Sequence, residues 1–149
     1  MKVLLDTSVL VSAMLPDHVH HAHSRPWLEQ AKAGAFEAVV SGHSLAEVYA
    51  VLTRLPRTPR ITPAEALQLI QENIAPHTMV ALSAEDYVKL IEDLAHLDVV
   101  GGAVYDAVIA KAAELANVDS LLTLNVGHFQ LVWPGGASRV VSPLALAPP

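Results

Sequence analysis

Asp6, Glu47 and Asp106 each stand inside an otherwise apolar stretch of the chain: KVLLD, SLAEVYAVL and AVYDAVIAKAA. A carboxylate beside apolar packing must be paired, solvated or metal-bound, because desolvating it alone is costly or raises its pKa until it neutralises. Three of them together suit a pocket for a hard divalent cation, which takes oxygen ligands. Asn125, in LLTLNVGHF, offers a neutral amide oxygen beside them. Each residue also has a plain structural reading. Asp6 and Asn125 suit helix caps or turns, Glu47 suits an exposed helix face, and Asp106 suits a first helical turn, where an acid complements the dipole. Thr7 and Ser8 either hydrogen-bond the Asp6 carboxylate or a metal-bound water, or cap the same helix. His128 is a candidate supporting or phosphate contact, with turn packing as the competing role.

Composition narrows the chemistry. The 149 residues include no cysteine, which excludes disulfides, thiol nucleophiles and cysteine-held zinc, so any metal is held by oxygen or imidazole. The formal net charge of −6 argues against indiscriminate binding to polyanions, because that affinity comes mainly from Lys and Arg neutralising phosphates. Arg54, Arg57 and Arg60, in the acid-free stretch RLPRTPR, form a short basic edge that is either a guide for an RNA backbone or a solvated loop. His18, His20, His21 and His23 invite a metal reading, but soft-metal sites need defined geometry, and the segment reads as a polar loop between helices. Mean hydropathy is +0.39, yet every apolar run stops short of the roughly 18–20 residues of a membrane span. The start carries one Lys, an early acid and no small-residue cleavage pattern, so the expected location is the cytoplasm.

The elements that position these residues alternate between strand and helix. KVLL reads as a strand that stops at Asp6-Thr7-Ser8, with a helix beginning near Val9. A helical stretch follows around Trp27 to Ala33, then FEAVVS as a second strand. Ser44 opens a helix on which Leu45, Val48, Tyr49, Leu52 and Leu55 share one stripe before Pro56 ends it. Thr62-Pro63 with Glu65 is a capping-box start for a helix to about Ala75. TMVAL is a third strand, Ser83 opens a helix through Leu94, and Gly101-Gly102 precedes a helix from Ala103 to Ala116. SLLTL is a fourth strand, NVGHF a turn, RVVS a last short strand, and residues 143–149 a loose tail. Short apolar strands alternating with helices predict one α/β domain over 1–149, a three-layer α/β/α sandwich around a short parallel sheet of four to five strands.

In such sheets ligands bind outside the carboxyl ends of the strands, where Asp6 and Asn125 both stand. At about 100° per residue, Glu47 lies opposite the Leu45, Val48, Leu52 stripe and faces a cleft or solvent. Asp106 falls in line with Ala110 and Ala113, which suggests room for something bulky beside it.

With these residues placed, the chain resembles the PIN-domain family, in particular the endoribonuclease toxins of type II toxin–antitoxin pairs, the VapC group. The matching stretches are LLDTSVLV, SLAEVYAVLTRLP, GGAVYDAVIAKAAELA and LLTLNVGHF, and they cover nearly the whole length. The resemblance implies a Mg²⁺ or Mn²⁺ cleft in which Asp6 and Asp106 bind directly, with Glu47 and Asn125 completing the shell. It also implies RNA hydrolysis by metal-activated water, homodimers and a cognate antitoxin. Many members carry Asp where this chain has Asn125, which leaves three carboxylates and weakens any second metal site.

Other readings compete. A haloacid-dehalogenase-like phosphatase wants an Asp at the position of Ser8, and a phosphoreceiver domain wants an acid pair after the first strand and a late Lys, neither of which is present. A PIN-fold binding module without catalysis is favoured by Asn125 and the acidic balance.

Overall fold

In the computed structural model, which describes residues 1–149, the elements in order are β1 (Lys2–Leu5), α1 (Thr7–Met14), α2 (His21–Lys32), β2 (Glu37–Ser41), α3 (Gly42–Arg54), α4 (Pro63–Asn73), β3 (Thr78–Val80), α5 (Ala84–His96), α6 (Ala103–Leu115), β4 (Ser120–Leu122), α7 (Val126–Val132), a 3-10 helix (Pro134–Arg139) and β5 (Val140–Val141). The five strands form one parallel sheet in the order β3-β2-β1-β4-β5.

Alternation along β1 builds two cores. Val3 and Leu5 point into a cluster with α1, α2, α3 and α4, while Leu4 points to the other face, against α5, α6 and α7. β4 repeats the pattern, with Leu122 on the first face and Leu121 on the second. Strands buried on both sides read as continuous apolar runs, which is why KVLL and SLL carry no polar alternation. The result is the three-layer α/β/α sandwich expected from the sequence. No helix is long and apolar enough to cross a membrane.

The order of strand addition reverses at the centre of the sheet. β2 and β3 lie to one side of β1, and β4 and β5 to the other. A crevice therefore opens at the carboxyl ends of β1 and β4, the switch point at which such sheets bind ligands.

Several element boundaries differ from expectation for identifiable reasons. α2 starts at His21 and runs through Pro26, although a residue before proline is biased away from helix. Its first turns are anchored from outside: Ser12 Oγ donates to Ser24 Oγ at 2.7 Å, and His21 Nδ1 meets the Ser12 carbonyl at 2.9 Å. The histidine-rich stretch is thus partly helix, not only a loop. α3 is capped by Ser41, whose Oγ accepts from His43 N, and Ser44, the expected opener, is buried inside the helix. On that helix Val48 and Leu52 are fully buried, but Tyr49 is 42% exposed and lies off the stripe. The capping box at Thr62 and Glu65 is present as expected. α7 extends a full turn beyond NVGHF because Phe129 and Val132 bury against the second core. The tail forms one turn, and Leu144 to Pro148 border a shallow cleft with Ala22, His23 and Pro26 of α2.

Candidate active site

The β1–β4 register puts Leu5 opposite Leu122, so the next residues, Asp6 and Thr123, face each other across the crevice. Asp6 N donates to the Leu122 carbonyl at 3.0 Å, extending the ladder by one bond. Asp6 is also the N-cap of α1 and is only 3% exposed. Its Oδ2 accepts from Ser8 Oγ at 2.5 Å, Thr123 Oγ1 at 2.8 Å and Ser8 N at 3.3 Å. None of these bonds ends on Oδ1, so one carboxylate oxygen is fixed by the protein and the other remains for a ligand. Capping and site roles coincide in the same side chain.

The remaining acids arrive on helices. Glu47 sits in the second turn of α3; its Oε2 accepts from Thr7 Oγ1 at 2.7 Å, and its Oε1 lies 3.5 Å from His43 Nε2. Asp106 sits in the first turn of α6, with Oδ2 3.5 Å from His128 Nδ1. The far end of α6 leads to Asp119, whose N donates to the Lys2 carbonyl at the opposite sheet edge, so the α6 N-terminus is carried to the carboxyl edge. Asn125 follows β4 and precedes α7, but its side chain makes no capping bond. Asp6, Thr7, Ser8, Glu47, Asp106 and Asn125 together line one open cleft of about 540 Å³.

Electrostatics tie the acids together. Burial is the main cause that raises the Asp6 pKa, opposed by the Ser8 and Thr123 hydrogen bonds, with the Asp106 charge adding to the rise. Burial likewise leads in raising the Asp106 pKa; His128 opposes it and the Glu47 charge adds to it. Asp6 thus feels the charge of Asp106, and Asp106 that of Glu47, an arrangement that a bound cation would relieve.

The donor chemistry of the acids fits Mg²⁺ or Mn²⁺, since Asp6, Glu47, Asp106 and Asn125 offer carboxylate and amide oxygens, while His18 and His20 stand at the cleft lining beside them. No group of three His, Asp or Glu side chains closes on one point. An ion held here would take one or two of the carboxylates and keep several waters, as Mg²⁺ commonly does.

One expectation needs correction, and one group of candidates lies apart from the acids. Ala110 and Ala113 are 2% and 0% exposed, so they are buried against the second core and make no room beside Asp106; their small size lets α6 approach the sheet. None of Arg54, Arg57 and Arg60 lines the acidic cleft. Arg57 lies 3.5 Å from Asp17, and Arg57 and Arg60 border a separate cleft against α4. Arg54 is on the Glu47 face of α3, two turns farther along.

Sequence reasoning missed four side chains. Thr123 is fully buried and bridges Asp6 to Asn125, whose N donates to Thr123 Oγ1 at 2.9 Å. Its position one residue beyond β4, opposite Asp6, was the signal. His18 and His20 line the cleft, a placement only the tertiary fold reveals. His43 was legible as the residue four before Glu47 on the same helix.

Residues 3–131 match the PIN domain. Ribonuclease VapC27 of Mycobacterium tuberculosis is 37% identical over 121 residues, spanning 78% of this chain and 83% of that protein. Ribonuclease VapC40 of the same species is 36% identical over 118 residues, spanning 78% and 81%. Among solved structures, VapBC2 from Rickettsia felis bound to a promoter DNA fragment superposes with a TM-score of 0.66 at 18% identity, covering 95% of this chain and 98% of that one. Mycobacterium tuberculosis VapC20, described as a Sarcin-Ricin loop cleaving toxin, gives 0.61 at 15% identity, covering 80% and 86%. At such identities these two structures speak to the fold alone. The extent of the family match, together with these relatives, shows that the chain belongs to the PIN domain family.

Proposed function

We propose that the chain is a single-domain, Mg²⁺- or Mn²⁺-dependent endoribonuclease and the toxin of a type II toxin–antitoxin pair. The observation that carries this reading is the meeting of Asp6, Glu47, Asp106 and Asn125, from four separate segments, in one open cleft at the switch point of the sheet. The curated relatives, both named ribonucleases, support the substrate class.

Asp6, through Oδ1, and Asp106 would hold the cation directly, with Glu47 and Asn125 acting as further or water-bridged ligands. When bound, the cation supplies an activated water and offsets charge on the phosphodiester. The chain's own residues do the positioning. Ser8 and Thr123 lock the Asp6 carboxylate in one orientation, Thr7 holds one oxygen of Glu47, and His128 stands against Asp106 as a supporting contact to the phosphate side. No side chain is needed as a nucleophile. Arg54, Arg57 and Arg60 would contact the RNA backbone beyond the cleft. A cytoplasmic homodimer, silenced by a small co-encoded antitoxin, completes the proposal.

A second reading, a binding module without catalysis, is favoured by one observation: Asn125 brings no charge to the cleft. Expression of the chain alone in a bacterial host separates the two. A toxin arrests growth and leaves new RNA ends, Asp6→Asn abolishes both, and co-expression of the neighbouring small gene product restores growth. Arrest that persists in Asp6→Asn without new RNA ends would support the binding module.

A further inference from the structure

One pair of side chains next to Glu47 and Asp106, though not among those that line the cleft, has no role in the scheme above. The His43 imidazole on α3 and the Tyr105 phenol on α6 lie parallel, with centroids 5.1 Å apart and planes at 6°. His43 Nε2 is 3.5 Å from Glu47 Oε1, and Tyr105 immediately precedes Asp106. The stack therefore joins the two helices that carry Glu47 and Asp106. Its layers are unequal: the His43 side chain is 20% exposed, whereas Tyr105 is 52% exposed. One face of the phenol is covered by imidazole, and about half of the residue is left exposed to solvent.

A ring half exposed contributes less through burial than a buried one, so packing alone accounts for only part of this placement. A half-exposed ring beside a nuclease cleft has a different use. Unpaired RNA bases are recognised by stacking on aromatic side chains, and this contribution needs no positive charge. The cleft requires such a contribution, since no Lys or Arg lines it and the chain is acidic. Beyond the cation proposed above, no basic Lys or Arg side chain neutralises phosphate where the scissile bond must lie, although that is the usual source of affinity.

We infer that Tyr105, backed by His43, is a stacking platform for an unpaired nucleobase next to the scissile phosphate; the inference rests on the ribonuclease reading. Tyr105 thereby sets the strand's position across the carboxylates and contributes to the choice of cleavage site.

The test begins by mapping where the wild type cuts a mixed-sequence RNA pool. Short synthetic single-stranded RNAs spanning that site are then made with one abasic nucleotide at each flanking position in turn. KM and kcat are measured for wild type, Tyr105→Ala, Tyr105→Leu and Tyr105→Phe, and binding of the same RNAs is followed by anisotropy in an Asp6→Asn background that does not cut. Loss of one stacked base should weaken binding roughly 5- to 150-fold. Tyr105→Ala and Tyr105→Leu should raise KM by that factor with kcat little changed, while Tyr105→Phe, which keeps the ring, should behave as wild type. At one flanking position the abasic RNA should bind wild type as weakly as Tyr105→Leu binds intact RNA, and the two changes together should add nothing. Unchanged KM in Tyr105→Leu, or effects that multiply at every position, overturns the platform while leaving the ribonuclease reading in place. If the wild type cuts nothing and Asp6→Asn binds none of the pool, both fall together. Tyr105→Leu keeps apolar bulk without a flat face, so it serves if the alanine variant is unstable. A Tyr105 that instead contacts a protein partner would show as the first overturning result.

Discussion

Asp6→Asn should make the cation-free protein more stable while removing its activity. The carboxylate is 3% exposed, and burial is the chief reason its pKa is raised. Asparagine caps a helix as well as aspartate does and can offer an acceptor to Ser8 and Thr123, so the local hydrogen bonds survive the change. What disappears is a buried charge and its repulsion from Asp106. Relief of such a group is worth roughly 1–3 kcal/mol, or about 2–12 °C in Tm at about 2–4 °C per kcal/mol for a chain of this size. The cation acts in the opposite direction. At a hundred times its Kd it would add about 2.7 kcal/mol to the wild type, about 5–11 °C, and little to the variant. Thermal denaturation followed by circular dichroism, in chelator and in Mn²⁺ near neutral pH, should place the variant above wild type in chelator and remove or invert that gap in Mn²⁺. The sign with pH follows from the raised pKa. An acid that holds its proton more tightly folded than unfolded favours folding below its folded pKa and loses that contribution as pH rises through it. The gap in chelator should therefore close in acid, where Asp6 is already neutral. An Asp6→Asn protein that melts several degrees below wild type in chelator would refute the reasoning, because the charge would then be a structural support.

Cation binding should release protons, since the raised pKa values of Asp6 and Asp106 mean the apo carboxylates hold protons at higher pH than ordinary acids; titration calorimetry in buffers of different ionisation enthalpy would measure it, and no buffer dependence at mildly acidic pH would contradict it. Thr123→Val should cost about 1–3 kcal/mol by leaving buried groups of Asp6 and Asn125 short of a partner, read by urea denaturation; a neutral result would mean water replaces the hydroxyl. Ala113→Leu should cost about 1–3 kcal/mol by overpacking α6 against the sheet, and an unchanged melting temperature would restore the idea of free space there.

The fold was largely legible because its strands are buried on both faces and so appear as uninterrupted apolar runs. Caps such as Thr62 and Ser83 sit where their side-chain chemistry demands. The carboxylates were legible for a related reason: charge in an apolar element needs a purpose. What remained hidden depends on contacts between distant segments. Thr123 acquires its role from strand register, and Ser12 and Ser24 from a buried bond across 12 residues that carries a helix through Pro26. Tyr49 and Tyr105 read as apolar in a one-dimensional pattern, yet both stand in solvent. The alanines of α6 misled in the other direction, because small size signals close approach as readily as open space.

The most direct measurement of the central claim is cleavage of an end-labelled mixed RNA pool by the purified protein in Mn²⁺ or Mg²⁺, beside chelated wild type and beside folded Asp6→Asn and Asp106→Asn. Discrete cuts by wild type with cation, lost in all three controls, are the expected result. Cleavage that survives the chelator or either substitution would contradict a cation-dependent centre built on these carboxylates.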